Sequence, residues 1–412
     1  MIIYFPTFIS MKFIYPKLLF KAFLLLMLAG IIAGCGKEPF QPKTGNINLT
    51  DTTKGGSDTS GSGGIVLLPD TVPSFFSPAG VAVDGGGNIY VADYGNNLIR
   101  KITASGLVST LAGSGNQGSI NAGGVLASFN QPTGIAVDAG GNVFVGDAGN
   151  DIIRKITPDG TVTTFAGSDS TGFADGAAAT ASFFHPEGIA LDGAGNVYVA
   201  DAGNNLIRKV AGSTVSTIAG NKLGTTADNI FSDPTGVAID AGGNIYTANF
   251  LASNILKINT AGTVSVFAGS GNIGSANGSG IGASFYFPNS LAIDATGNVY
   301  VSDGINNLIR KITPDGTVST FAGSGVAGAA DGSGVAASFN GPAGLAVDAA
   351  GNVYVADANN NRIRKVTQAG LVTTVAGSGH AGSRNGQISV VRNVKAKKTV
   401  VKQKLPVFYT GK

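Results

Sequence analysis

The chain has 412 residues, of which 63 are Gly, one is Cys, two are His and none is Trp. A hydrophobic share of 43% argues against a disordered chain, and a single Cys excludes an intrachain disulfide and a cysteine-based zinc site. The formal net charge of +3 averages unlike segments, because residues 71–390 carry 14 basic and 20 acidic residues, a balance that disfavours nucleic acid as a partner.

Residues 1–34 have the pattern of an export signal. Three lysines, Lys12, Lys17 and Lys21, precede an uncharged stretch at 22–34. This stretch has 13 residues, fewer than the ~20 that an apolar helix needs to cross a bilayer. A basic segment, then an apolar one, then small residues is typical of a secretory signal peptide rather than of a membrane anchor.

The sequence Ile32-Ala33-Gly34-Cys35 resembles a bacterial lipobox and contains the only Cys of the chain. The resemblance implies a diacylglyceryl thioether on Cys35, and Gly36 in place of Asp implies passage to the outer membrane. We therefore expect an exported protein anchored in the bacterial cell envelope. Residues 35–70 are rich in Gly, Ser, Thr and Asp and predict a flexible tether, with a reach of roughly 30–35 Å.

Residues 71–386 are built from an internal repeat. Each unit contains one Asp that ends the sequence Gly-Val-Ala-Val-Asp or a close variant, and these residues are Asp84, Asp138, Asp192, Asp240, Asp294 and Asp348. Their spacings are 54, 54, 48, 54 and 54 residues. Each unit holds four short β-like segments separated by turn residues, which in the first unit are Gly80–Asp84, Asn88–Asp93, Leu98–Thr103 and Leu107–Ala112.

Four antiparallel strands in each of six units are compatible with a β-propeller or an extended β-solenoid. A unit of about 50 residues is too long for one coil of a β-helix. The centre of every first strand is Ala, as we expect for strands that converge on a narrow axis; these residues are Ala82, Ala136, Ala190, Ala238, Ala292 and Ala346. We therefore predict an all-β fold, a six-bladed β-propeller of four-stranded antiparallel blades.

Three motifs recur in the units: Pro-x-Gly-(Val/Ile/Leu)-Ala-(Val/Ile/Leu)-Asp, Gly-Asn-(Ile/Val)-(Tyr/Phe)-Val-x-Asp and Asn-x-Ile-Arg-Lys. Together they resemble NHL repeats over residues 72–380. The resemblance implies a propeller fold. It does not imply one activity, since NHL propellers include enzymes, sensors and binders of RNA or protein.

A Phe lies three residues before the Pro of every unit. The six are Phe75, Phe129, Phe183, Phe231, Phe285 and Phe339. A ring of aromatic side chains could line a ligand face, but buried aromatics dominate core energetics. We expect each of these side chains to pack between neighbouring blades.

Five units pair an Asp at the end of the second strand with an Arg seven residues later. The pairs are Asp93/Arg100, Asp147/Arg154, Asp201/Arg208, Asp303/Arg310 and Asp357/Arg364. In the fourth unit both residues change together, to Asn249 and Leu256. Joint loss indicates contact, because a lone charge left partly buried is costly; unrelated solvated charges are the alternative. We expect most pairs to lie within about 4 Å and to be architectural rather than catalytic.

Polar loop residues are the candidates for binding. Asn or Asp recurs in the connection that follows the fourth strand, at Asn121, Asp175, Asn277, Asp331 and Asn385. This connection should share a face with the loops between the second and third strands, and we place any ligand there. His185 and Glu187 depart most from the repeat and form a possible loop site; a solvated surface pair is the alternative.

Enzymes of similar fold suggest two tests. Amidating lyases hold zinc through several His, and this chain has only His185 and His380. Lactonase-type propellers arrange acidic residues around calcium, so calcium is the one cofactor that the loop carboxylates leave possible. We expect a binding scaffold for a protein or glycan partner. A calcium-dependent hydrolase or lyase on the loop face is the alternative, and a structural surface protein without a discrete ligand is a third.

Residues 387–412 break the repeat, and residues 391–412 carry seven basic residues and no acidic one. A basic arm that contacts anionic lipid or a polyanion, an added edge strand and an out-of-frame gene end are all compatible with this sequence. We expect the propeller to close without this tail, because each unit already supplies four strands.

Overall fold

The computed structural model describes residues 72–220 and 230–387. The signal segment, Cys35, the tether and the tail beyond residue 387 lie outside the described residues. Within these two ranges, no helix is both long enough and apolar enough to span a bilayer.

The described residues form six antiparallel sheets around one axis, so the predicted six-bladed β-propeller is confirmed. We number the blades 1 to 6 along the chain. Each blade has an inner, a second, a third and an outer strand, in which sequence neighbours are also sheet neighbours. The ring is closed where blade 6 contacts blade 1, since the N–H of Gly344 donates to the carbonyl of Ala79 at 2.7 Å.

The strands recur at the same place in every blade. The inner strands are Gly80–Val83, Pro132–Val137, Pro186–Leu191, Pro234–Ile239, Pro288–Ile293 and Pro342–Val347. The second strands are Ile89–Asp93, Val143–Asp147, Val197–Asp201, Ile245–Asn249, Val299–Asp303 and Val353–Asp357. The third strands are Leu98–Ile102, Ile152–Ile156, Leu206–Ala211, Asn254–Ile258, Leu308–Ile312 and Arg362–Val366. The outer strands are Leu107–Ala112, Val162–Ala166, Thr214–Ala219, Val264–Ala268, Thr317–Ala322 and Leu371–Ala376.

The core lies between blades rather than inside one sheet. Successive side chains of a strand point to opposite faces, so Tyr90 packs with blade 2 whereas Val91 packs with blade 6. Every second strand is buried along its whole length for this reason. The recurring Phe residues lie in the same layers and are at most 2% exposed, which confirms their predicted packing between blades.

The recurring Ala of the inner strand does not lie at the axis, and that part of the sequence reasoning was wrong. Ala82 packs in the layer between blades 1 and 2. The axis is instead occupied by the Gly two residues earlier: a Cβ on Gly134 would lie 2.0 Å from the carbonyl oxygen of Glu187 in the next blade. Glycine avoids this clash at the equivalent position of five of the six inner strands, and blade 5 has Ser290 there.

Tight turns join the inner and second strands on one face of the propeller. In blade 1, Asp84 accepts hydrogen bonds from the N–H of Gly86, from the N–H and amide of Asn88 and from the hydroxyl of Tyr90. Lys101 lies with its Nζ 5.3 Å from the centre of the Tyr90 ring, a cation–π contact repeated in the other blades. The polar groups of this turn thus form hydrogen bonds and cation–π contacts with one another.

The connection between blades runs along the outer edge of the next blade and adds a short strand there. These strands are Gly176–Ala177, Gly278–Ser279, Gly332–Ser333 and Gly386–Gln387. The last one pairs with the outer strand of blade 1, Gly386 opposite Val108 and Gln387 opposite Leu107. Residues 386–387 therefore add to blade 1 the short edge strand that an interblade connection adds to blades 3, 5 and 6. Residue 387 is thus part of the closure of the ring.

Candidate binding face

The structure places the five predicted Asp/Arg pairs in direct contact. The N–O distances are 2.9 Å for Asp93–Arg100, 2.8 Å for Asp147–Arg154, Asp201–Arg208 and Asp303–Arg310, and 2.7 Å for Asp357–Arg364. All ten side chains are fully buried. They join the second and third strands of a blade and are not available to a ligand.

Blade 2 shows how each pair is completed. Asp147 also accepts hydrogen bonds from the N–H of Asn130 and the amide of Asn150. Arg154 also donates to two carbonyls and to Oδ1 of Asn121 at 2.9 Å. Its guanidinium lies 5.1 Å from the centre of the Phe129 ring, one of the recurring aromatics.

The recurring Asn or Asp of the connection therefore has a structural role. In each blade with an Arg, this residue accepts a hydrogen bond from the guanidinium; the acceptors are Asn121, Asp175, Asn277, Asp331 and Asn385. The contact fastens the connection to the blade it crosses. These residues were expected on a ligand face, and the structure assigns their side chains to the scaffold.

Burial has the largest effect on the pKa values of the aspartates in these ion pairs. Loss of solvation raises the pKa of Asp93 and of Asp201 to about 6, although the hydrogen bonds and the Arg partner act in the opposite direction. The same cause raises the pKa of Asp147, Asp303 and Asp357. These shifts belong to an architectural network and not to a cleft.

In blade 4 two uncharged side chains replace the ion pair. Asn249 keeps the acceptor role, since its Oδ1 binds the N–H of Ser232. Its amide donates to the carbonyl of Ile230, the position that Arg contacts in other blades, and to Oδ1 of Asn254. Leu256 fills the buried place of the Arg side chain. The joint change in the sequence thus reflects one contact.

The loops between the second and third strands meet the interblade connections on one face of the propeller, as predicted. In blade 2 the amide of Asn150 donates to the carbonyl of Gly118 at 2.8 Å. We call this side the loop face. The chain also enters each inner strand there, which brings the residues before the six inner-strand prolines close to the axis.

Those residues form an axial ring in which the backbone repeats and the side chains differ. The members are Ser77, Gln131, His185, Asp233, Phe287 and Gly341, all with φ between 49° and 59°. This left-handed conformation is uncommon for residues other than Gly. It is stabilised from the preceding blade: Oδ1 of Asn97 accepts the N–H of Gln131, and Asn361, Asp151, Asn205 and Asn307 act likewise on Ser77, His185, Asp233 and Gly341.

Sequence reasoning missed this ring. The accepting residues precede every third strand and were treated only as turn residues, because a bond between neighbouring blades leaves no mark in the local pattern. A signal was nevertheless present: the residue before Pro changes in every unit, while the Phe two residues earlier and the Pro after it recur. Variable side chains on a repeated backbone are a feature of binding surfaces.

The candidate loop site forms a real contact. His185 Nδ1 lies 3.0 Å from Oε1 of Glu187, and the imidazole is about one-quarter exposed. The N–H of His185 donates to Oδ1 of Asp151, whose Oδ2 accepts the Thr171 hydroxyl. One polar cluster thus spans blades 2 and 3 at the axial end of the loop face.

Aromatic side chains gather on the same face at blades 4 and 5. The rings of Phe250 and Phe287 are stacked, with centroids 4.8 Å apart and an interplanar angle of 20°. Tyr286 meets Phe287 edge-on at 4.9 Å. Phe76 of blade 1, at the position of Tyr286, is 46% exposed. Across residues 72–220 and 230–387, no three His, Cys, Asp or Glu residues are grouped as a metal site requires.

Known proteins share this fold. The chain is 28% identical over 305 residues to Protein SUPPRESSOR OF QUENCHING 1, chloroplastic, of Arabidopsis thaliana, a match covering 71% of this chain and 25% of that protein. This chain therefore spans about a quarter of that relative's length.

Two solved structures from Bacteroides thetaiotaomicron are similar. One, of unknown function, has 23% identity and a TM-score of 0.56, covering 71% of this chain and 69% of its own. The other is described as an auxiliary nutrient binding protein and has 18% identity and a TM-score of 0.55, covering 73% and 70%. At these identities the likeness concerns the fold.

The protein-family model described as NHL repeat matches four segments of the chain. They are residues 75–102, 129–151, 183–210 and 339–366, which lie in blades 1, 2, 3 and 6. Each segment begins at the recurring Phe and includes the second strand with its terminal Asp. The chain is therefore a six-bladed β-propeller that contains NHL repeats.

Proposed function

We propose that the loop face of this propeller is a binding scaffold for a protein or glycan partner. The observation that carries the proposal is the axial ring. Its six backbone positions are equivalent, yet they carry a hydroxyl, an amide, an imidazole, a carboxylate, a phenyl group and a hydrogen atom. A rigid frame with side chains of unlike chemistry is suited to recognising one particular surface.

The architecture supports this use of the face. The recurring polar residues form the buried ion pairs and the hydrogen bonds between blades. The residues that differ from blade to blade are therefore the ones that can determine which ligand binds. A structural neighbour described as an auxiliary nutrient binding protein has the same type of fold and is compatible with a binding role.

The proposal includes anchoring in the cell envelope. Its support is the lipobox-like sequence that ends at Cys35 and the Gly/Ser/Thr-rich tether that follows. Mass spectrometry of the mature protein tests this: we expect an N-terminal Cys35 carrying a diacylglyceryl group, and loss of membrane association in Cys35→Ala. An unmodified Cys35 in a membrane-free protein would refute the anchor without affecting the binding proposal.

Site-specific photo-crosslinking in cells tests the binding face. The photoreactive residue p-benzoylphenylalanine is placed at Gln131 on the loop face, and in a control at Ala194 in the turn of the opposite face. We expect a discrete adduct of protein or glycan from position 131 and none from position 194. Adducts from the control position only would contradict the assignment of the face.

A further inference from the structure

Several departures from sixfold repetition lie at the junction of blades 4 and 5. Blade 4 has Asn249 and Leu256 in place of the ion pair. The residue that should hold the axial ring of blade 5 is Ser253 instead of Asn or Asp, and blade 5 has Ser290 where the other inner strands have the axial Gly. The segments that match the NHL model lie in the other four blades.

This junction carries local costs that the other junctions avoid. The Ser253 hydroxyl is buried and has no hydrogen-bond partner among the residues that the structure describes, which is unfavourable for such a group. Phe287 has a φ of 54°, and no residue within the described ranges accepts its N–H as Asn97 accepts that of Gln131. A bulky residue held in this conformation without such support points to a functional constraint.

The junction presents an aromatic corner. Phe287 and Tyr286 are partly exposed and their rings meet at 61°, while Phe250 is 8% exposed and backs Phe287 from below. Residues 250–253 and 286–290 carry no charge, and the neighbouring ring residue Asp233, whose carbonyl oxygen accepts the N–H of Phe250, is acidic. Asn289, two residues after Phe287 and partly exposed, carries an amide that is both donor and acceptor.

We propose that this aromatic corner is the binding site for a neutral glycan, with a pyranose ring lying on Phe287 against Tyr286. One face of a pyranose presents C–H groups that pack on an aromatic ring, and its hydroxyls bind groups that donate and accept hydrogen bonds. An anionic ligand has no cationic partner among these residues, and the nearby Asp233 disfavours it. The inference rests on the proposed binding function of the loop face and names its ligand class and site.

The blades supply a matched pair of variants for the test. Gly341 occupies the ring position in blade 6, so Phe287→Gly removes the aromatic group while keeping a residue that tolerates the backbone conformation. Leu107→Ala removes an exposed apolar side chain from the start of the outer strand of blade 1, away from the loop face and the corner. Tm values for the full chain and both variants establish that all three are folded.

Binding is measured by native affinity electrophoresis of the full chain in gels that contain xylan, mannan, amylopectin or β-glucan, with alginate as a polyanion control. We expect at least one neutral polysaccharide to retard the chain. Phe287→Gly should weaken this apparent affinity about tenfold or more, as for a central aromatic anchor, and Leu107→Ala should leave it unchanged.

Three results would overturn the inference: no retardation by any neutral polysaccharide, retardation by alginate alone, or equal retardation of the chain and Phe287→Gly. The third would leave the loop face as a glycan binder with its site elsewhere. The first two would leave the proposed function to the crosslinking test, whose protein adducts do not depend on the aromatic corner.

Discussion

The contribution of the buried ion pairs to stability can be tested by giving blade 2 the uncharged residues that blade 4 has at these positions. Arg154→Leu removes the cation, Asp147→Asn removes the anion, and the combination imitates Leu256 and Asn249. Asn150→Ala is added to all variants and to the reference, because blade 4 has Ala252 where blade 2 has the amide that binds Asp147.

The magnitudes follow from burial. Both Asp147 and Arg154 are 0% exposed and lie 2.8 Å apart, so either single change leaves an uncompensated buried charge and should lower the free energy of unfolding by roughly 3–5 kcal/mol. The combined change leaves no charge and should cost clearly less than either alone. The coupling free energy should then exceed about 3 kcal/mol, the upper end for contacting residues.

Urea unfolding followed by far-ultraviolet circular dichroism gives these free energies. Lys209→Met is the control, since its amine lies 4.0 Å from Asp192 with both side chains partly exposed and should change stability by less than about 1 kcal/mol. Additive single effects would refute the reasoning, because they would show that the Asp and Arg contribute independently.

Three further outcomes are expected. Hydrogen bonds from Gly86, Asn88 and Tyr90 outweigh the burial of Asp84 and lower its pKa, so its stabilising contribution is present above the ordinary value of 3.8 and is lost as pH falls below it. Tm should therefore fall as the pH is lowered below about 4; a Tm that does not change in acid would show that the turn carboxylates gain nothing from folding. Gly134→Ala should lower Tm by several degrees, since its Cβ meets a backbone oxygen at 2.0 Å, whereas Gly193→Ala has open space and should not; equal Tm values would contradict the close approach at the axis. Chelation with EDTA should leave Tm unchanged, because the turn carboxylates are already bonded to amide groups; a fall in Tm would revive the calcium site considered from the sequence.

The site was less accessible to sequence reasoning than the fold. His185 and Glu187 were singled out because they break the repeat, and the structure brings them into contact. The sequence did not single out Phe287 and Tyr286, because an additional aromatic residue is not distinctive in a chain with 22 Phe and 10 Tyr. Their stack with Phe250 depends on the orientation of two blades, which a linear sequence does not encode.

The sequence by itself determined the repeat, the four strands of each blade and the Asp/Arg contact, because these follow from alternation, turn chemistry and joint change within one unit. The tertiary structure decided what depends on the distance between units. It placed Gly134 rather than Ala136 at the axis, and it joined Asn97 to Gln131 across a blade boundary. Such contacts are set by how closely the inner strands converge when the ring closes, and that spacing is a property of the whole assembly of blades.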